Sequence, residues 1–152
     1  MITRTVTRSF FGVGFSLLLA VACSAQGSSP VTLGGTGPTP HIETVLDGVA
    51  DLLSTNGVKV KMASGDAKSR TAISEEMKAS GATTLLYVTV NQARGQRGKV
   101  TAQAFIDGKL VWEEEVRGGF TASSAEGEVK GMLKAINAKL KPRIGGPGLP
   151  KS

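Results

Sequence analysis

Few side chains in this sequence can do covalent or metal chemistry, and their spacing limits what they could do together. There is one cysteine, Cys23, and one histidine, His41, in 152 residues. A disulfide framework or an all-protein zinc site is therefore not expected, and no cofactor is implied. His41 follows Pro40 at what reads as a helix start, without a Ser or Cys partner of the kind nucleophilic sites show. It is assigned no role. Glu113, Glu114 and Glu115 are consecutive, so on a strand two would point to one face and one to the other. Paired-carboxylate chemistry instead holds two groups across a substrate, and a solvated strand end is the expectation. Gly34, Gly35 and Gly37 lack the Lys-Ser/Thr and the preceding strand of a phosphate loop and read as tether. No catalytic residue and no metal ligand set is assigned.

The charge balance offers one further group. Lys and Arg number 18 against 12 Asp and Glu, a net charge of +6, and Arg94, Arg97 and Lys99 fall in one loop. They are candidate contacts to an anionic surface. Single-stranded nucleic acid would want aromatics on an open sheet face, and only 5% of residues are aromatic, so no nucleic-acid partner is expected.

The placement of Cys23 carries more information. Arg4 and Arg8 stand without any acid before an uncharged apolar run from Ser9 through Ala22, and Ala20-Val21-Ala22 lead directly into the cysteine. The sequence then turns polar at Ser24-Ala25-Gln26-Gly27-Ser28-Ser29-Pro30. The run is too short to span a membrane comfortably. It resembles a bacterial lipoprotein signal peptide, whose lipobox ends in a small residue before the acceptor cysteine, although that family prefers Leu where Ala20 stands. The resemblance implies cleavage after Ala22, diacylglycerol on Cys23 and acylation of the new amino terminus by a chain such as palmitate. Two or three acyl chains hold a protein at a membrane where one would not. An ordinary secretory signal cut nearby, leaving Cys23 a free thiol, is the alternative. Ser24, rather than Asp, implies outer-membrane sorting and a periplasmic location in a two-membrane cell.

Removing residues 1–22 takes away two arginines and no acid, leaving 16 basic and 12 acidic residues and a net charge of +4. Residues 23–40 read as a flexible tether. The 17 uncharged residues Ser24 to Pro40 would reach about 60 Å extended. Residues 142–152, with Gly145-Gly146-Pro147-Gly148, read as a disordered tail, which leaves 41–141 as the folded body.

Within that body the patterning predicts a single small α/β (α+β) domain, a mixed sheet of about four strands with three helices in the order α-β-α-β-β-β-α. Ile42, Val45, Leu46, Val49, Leu52 and Leu53 recur at helical spacing, with Thr39 placed to cap and Asn56-Gly57 to end the helix. Val58, Val60 and Met62 alternate with Lys59 and Lys61, as on an edge strand whose lysines discourage pairing with other chains. A helix from about Asp66 to Ser80 carries Ile73 and Met77 and ends at Gly81. It completes a crossover into Thr83–Asn91, a strand apolar on both faces. Two further strands meet at Asp107-Gly108. A three-residue loop with Gly108 in a bulge is favoured, because it gathers Val100, Ala102, Ala104, Leu110, Trp112 and Val116 on one face. A last helix from about Ala122 to Lys141 buries Val129, Met132, Leu133, Ile136 and Leu140, with Ser123 or Ser124 at its start.

This order, with Ser80-Gly81-Ala82-Thr83-Thr84-Leu85-Leu86-Tyr87 and the stretch from Val100 to Trp112, resembles the small α/β domains of TolB amino-terminal and CsgG/LpoB-like envelope proteins. Those domains open with a strand before the first helix, and here only Val31-Thr32-Leu33 could supply one. The resemblance brings no functional residue with it. Leu85, Tyr87, Phe105 and Val111 form a strip opposite Trp112, either covered by one of the protein's own helices or exposed as a partner patch. The functional expectation is a lipid-anchored cell-envelope protein, held in the membrane through Cys23, with a small non-enzymatic domain that binds an envelope protein or polymer in an accessory or assembly role. The alternatives are an envelope hydrolase using Glu113 to Glu115 or His41, and a binder of anionic lipid or wall polymer.

Overall fold

The computed structural model describes residues 28–65, 69–91, 98–118 and 124–152. The elements are β1 (Val31–Thr36), α1 (His41–Thr55), β2 (Val60–Met62), α2 (Arg70–Ser80), β3 (Thr84–Asn91), β4 (Lys99–Ile106), β5 (Lys109–Arg117) and α3 (Ala125–Leu140), followed by a 3-10 turn, Lys141–Arg143. The strands form one mixed sheet in the order β2-β1-β3-β4-β5. β1 is parallel to both β2 and β3, and β3, β4 and β5 form an antiparallel meander. The domain is α+β, with five strands rather than four.

The extra strand lies inside the segment 23–40 that composition assigns to a tether. Val31 and Leu33 are fully buried, and Thr32 nearly so. β1 is an interior strand, not an edge. Its second half, Gly34-Gly35-Thr36, reads as flexible because it has almost no side chains, but the space they would fill is occupied. A Cβ on Gly35 would stand 2.1 Å from the Val88 carbonyl oxygen, and one on Gly34 would stand 2.4 Å from Ile73 Cδ1. The glycines permit close approach of β3 and α2, so Gly34 and Gly35 belong to the sheet.

The interior position of β1 also explains the layering. The chain moves from β1 through α1 outward to β2, then returns through α2 past β1 to β3. Two crossovers of one hand made in opposite directions place their helices on opposite faces. α1 and α3 share one face, where Ile42, Val45, Val49 and Leu53 meet Leu33, Leu86, Val88 and Ala102, with Met132, Ile136 and Leu140 completing the larger core. Among the described residues α2 covers the other, where Ile73 and Met77 pack on Leu85, Tyr87 and Phe105. This division follows the two-sided apolar pattern of β3.

Local signals set most helix ends. Ser69 Oγ accepts from the Ala72 N–H at 3.2 Å and Gly81 ends α2 in the left-handed region at φ 71°, while Ser124 Oγ accepts from the Gly127 N–H at 3.2 Å to start α3. Thr39 does not cap α1; no side chain caps that end, and the Ile42 N–H donates to the Pro38 carbonyl at 3.0 Å.

The β4–β5 hairpin turns on two residues, Asp107 and Gly108, both at positive φ (50° and 77°), the geometry that matches strand twist in tight hairpins. Ile106 pairs with Lys109 and Phe105 with Leu110, but Ala104 pairs with Trp112, so Val111 is the extra residue. The expected bulge exists, displaced from the turn into β5. Trp112 still shares a face with Ala104, Ala102 and Val100, whereas Leu110 falls on the opposite face, beside Phe105, and is 52% exposed.

Residues 142–152 are not a loose tail. Leu149 is fully buried in the larger core, the Gly145 N–H donates to the Leu149 carbonyl at 2.8 Å, and the Ser152 N–H donates to the Gly57 carbonyl at 2.7 Å. One buried leucine among glycines and prolines leaves no periodicity to find in a sequence, but it anchors the segment.

Candidate functional site

Cys23, Arg94 and Arg97 lie outside the described residues. Lys99 opens β4 and lies 3.1 Å from Glu115 across the strand pair, and Arg117 also bonds that carboxylate. The Arg117 hydrogen bond, seconded by Lys99, holds the Glu115 carboxyl below its ordinary range. Lys99 is thus already engaged with an acid of its own chain.

Register separates the three glutamates, because neighbours on a strand point to opposite faces. Glu113 lies opposite Gln103, whose side-chain amide donates to it. Glu114, on the face of Trp112, accepts two bonds from Arg143, from Nη2 at 2.7 Å and Nε at 2.9 Å. That guanidinium sits 5.5 Å from the Trp112 ring centroid. Each carboxylate has its own partner, and no two face one another across a cleft. Both ring nitrogens of His41 are shielded from solvent without a hydrogen bond, at the first residue of α1. Among the described residues no group of three or more His, Cys, Asp or Glu could hold a metal ion, and no helix is long and apolar enough to cross a membrane.

Of the candidate partner strip, Leu85, Tyr87 and Phe105 are core, 2%, 7% and 6% exposed beneath α2. Burial raises the Tyr87 hydroxyl above its usual pKa, partly offset by Arg70 and a bond to the Thr36 side chain. Only Val111 is exposed, at 38%, because it is the bulged residue. An exposed patch of all four is therefore excluded, as the helix that covers three of them is the protein's own.

Two clefts remain. One, of about 430 Å³, lies between α2 and the hairpin, lined by Arg70, Ser74, Met77, Phe105 and Asp107. Arg70 stands 5.0 Å over the Phe105 ring. The other, of about 370 Å³, lies at the carboxyl ends of β1 and β2, lined by Gly34, Gly35, Thr36, Glu43 and Asp47. Open α/β sheets often bind ligands at that end, but the two carboxylates oppose a phosphate there, and Gly34 and Gly35 serve packing.

The sheet edges, in contrast, are open. Among the described residues no strand pairs with the outer side of β5 or of β2. Among the described residues the exposed large apolar side chains are Leu110 and Val111 on β5 and Met62, 42% exposed, on β2. α2 packs over β3 and the end of β4, so on the same face Glu113 is exposed and its partner Gln103 only half-buried. Leu110 thus lies on the face opposite the one the expected bulge assigns it; the Asp107-Gly108 pair, which alone suffices for a two-residue hairpin, is the signal in the sequence for this placement.

No known protein family matches the chain, and no curated protein sequence matches it. Solved structures do. A PelC dodecamer from Paraburkholderia phytofirmans is similar with a TM-score of 0.51 and 17% identity, over 76% of this chain and 87% of that one. Prolyl-tRNA synthetase from Cryptosporidium parvum aligns with a TM-score of 0.41 and 14% identity, over 76% of this chain and 23% of its own. At these identities the first likeness concerns the fold alone, and the second carries no weight.

Proposed function

We propose that this chain is a lipid-anchored protein of the cell envelope, whose α+β domain acts by binding rather than by catalysis, in an accessory or assembly role. The observation that carries the reading is the run from Arg4 to Ala22 ending on the small residues before Cys23. The fold adds a consequence. Because β1 begins at Val31, only residues 24–30 separate Cys23 from the sheet, a reach of about 25 Å instead of the 60 Å that composition suggests. A domain anchored at Cys23 works close against the membrane surface.

Asn91 and Lys99 lie at the opposite end of the sheet from Val31, so Lys99 is far from the residue at which the chain enters the sheet. This disfavours Lys99 as a contact to the anchoring membrane. The separate ionic partners of Glu114 and Glu115 disfavour hydrolysis by a carboxylate pair. The similar PelC chain assembles as a dodecamer, so a protein of this fold can serve through assembly.

The test is metabolic labelling with an alkyne fatty acid in cells that process lipoproteins. Wild-type chain should take up label and Cys23→Ser should not. An unlabelled wild type beside other, labelled lipoproteins would refute the anchor.

A further inference from the structure

The two open edges of the sheet differ in charge on a single face. Lys61 of β2 pairs with Thr32, Thr32 with Leu85, and Leu85 with Phe105, which places Lys61 on the α2 side of the sheet. Lys59, two residues earlier, follows it there by the period of an extended chain. On β5, Glu113 pairs with Gln103 and Glu115 with Thr101, the same side of the sheet. Lys59, Lys61 and Glu113 are exposed, and Glu115 is half-buried. One edge thus presents two lysines two residues apart, and the other presents two glutamates at the same spacing and on the same face.

We propose that copies of this chain associate head to tail, β2 of one copy adding to β5 of the next, with Lys59 and Lys61 of the first facing Glu113 and Glu115 of the second. Both strands run in the same direction within the sheet, so a copy in the same orientation extends it in parallel. Displacing that copy by four residues, about 13 Å along the strands, sets Lys59 opposite Glu113 and Lys61 opposite Glu115. The same register sets Met62, exposed on the other face, opposite the half-buried Val116. Glu115 already holds Lys99 and Arg117, whereas Glu113 is bonded to the uncharged Gln103, so Glu113 is the principal acceptor.

The like pairings are disfavoured by the same residues. Two β2 edges bring lysine against lysine. Two β5 edges paired antiparallel about Glu113 bring Glu113 against itself and Lys109 against Arg117, and like charges directly opposite destabilise a strand pair. The lysines that protect β2 from indiscriminate pairing therefore select the acidic edge. A contact between unlike edges is heterologous, and it generates a ring where the rotation closes and a filament where it does not. The strand contact is short and buries less than the roughly 1,200 Å² of a stable interface, so association depends on concentration.

Full-length chain in mild detergent, as an equal mixture of ¹⁴N and ¹⁵N material, is treated with a zero-length carbodiimide and mapped by mass spectrometry. Within one chain β2 and β5 lie four strand spacings apart, about 19 Å, so an amide between them must join two chains. Mixed-isotope amides from Lys59 or Lys61 to Glu113 or Glu115 are expected. Their absence, or interchain links at other positions only, overturns the proposal. Lys59→Glu with Lys61→Glu, and separately Glu113→Lys with Glu115→Lys, should each lower the cross-linked dimer about tenfold. Mixing the two variants should restore it. Folded variants, checked by circular dichroism, that cross-link as well as wild type or are not rescued by mixing would also overturn it. If neither variant folds, the map of the unmodified chain decides alone.

Discussion

The indole Nε1 of Trp112 donates to the carbonyl oxygen of Pro147 at 2.6 Å, joining the middle of β5 to a segment that composition alone assigns to disorder. Gly148 makes this approach possible: at φ 83°, a Cβ there would stand 2.8 Å from the Ala104 methyl and 3.1 Å from Trp112 Nε1. The turn after α3 is the outer wall of the Trp112 pocket, and Leu149 closes the larger core behind it.

Ending the chain after Gly146 should therefore destabilise the domain as a core deletion would. Loss of buried Leu149 alone is worth about 2 to 5 kcal/mol, and the indole loses its hydrogen-bond partner. Chemical denaturation followed by Trp112 fluorescence checks this. The intact chain should emit at the blue-shifted wavelength of a shielded indole, and the truncated chain should shift to the red and unfold at lower denaturant. Equal midpoints and equal spectra would return residues 142–152 to the status of a free tail.

The strip beneath α2 gives a second test. Tyr87→Lys together with Phe105→Lys places two ammonium groups where both side chains are now enclosed by Ile73 and Met77. The double substitution should cost about 4 kcal/mol or more, enough to unfold a domain of this size. Thermal melts that matched wild type would mean that α2 does not cover the sheet.

Close approach at β1 is tested by one methyl group. Gly35→Ala drives a Cβ against the Val88 carbonyl, backbone that cannot rotate away, and should cost about 3 kcal/mol. Gly65→Ala, where a Cβ meets nothing within 4 Å, should stay within about 0.5 kcal/mol. Comparable denaturation midpoints for the two variants would contradict an interior β1.

What the sequence disclosed and what it hid divide along physical lines. α1, α2, β3 and α3 were legible because each buries a stripe or an alternation of large apolar side chains, and Gly81 and Ser124 mark ends by backbone chemistry. β1 was hidden because four of its six residues are glycine or threonine. Its evidence is the space that β3, α1 and α2 fill, which no periodicity records. The tail was hidden because a single residue, Leu149, anchors it. The side of the sheet on which Trp112 lies was correct, since burial fixes it, but the position of the bulge was not. Two hairpin geometries bury Trp112 equally, and they differ only in where Leu110 points. At the candidate site, the alternation of lysines along β2 was visible, but its relation to Glu113 and Glu115 was not. That relation exists only once the strand order places the two at opposite edges with the same face exposed.

If Cys23 carries the proposed lipid anchor, the domain is held about 25 Å or less from a membrane. Intact-mass spectrometry of the protein extracted from membranes tests it most directly. The expected mass is that of a chain beginning at Cys23 and carrying a diacylglyceryl group with an amino-terminal acyl chain. A soluble chain with an unmodified Cys23, recovered from cells that lipidate other proteins, would contradict it.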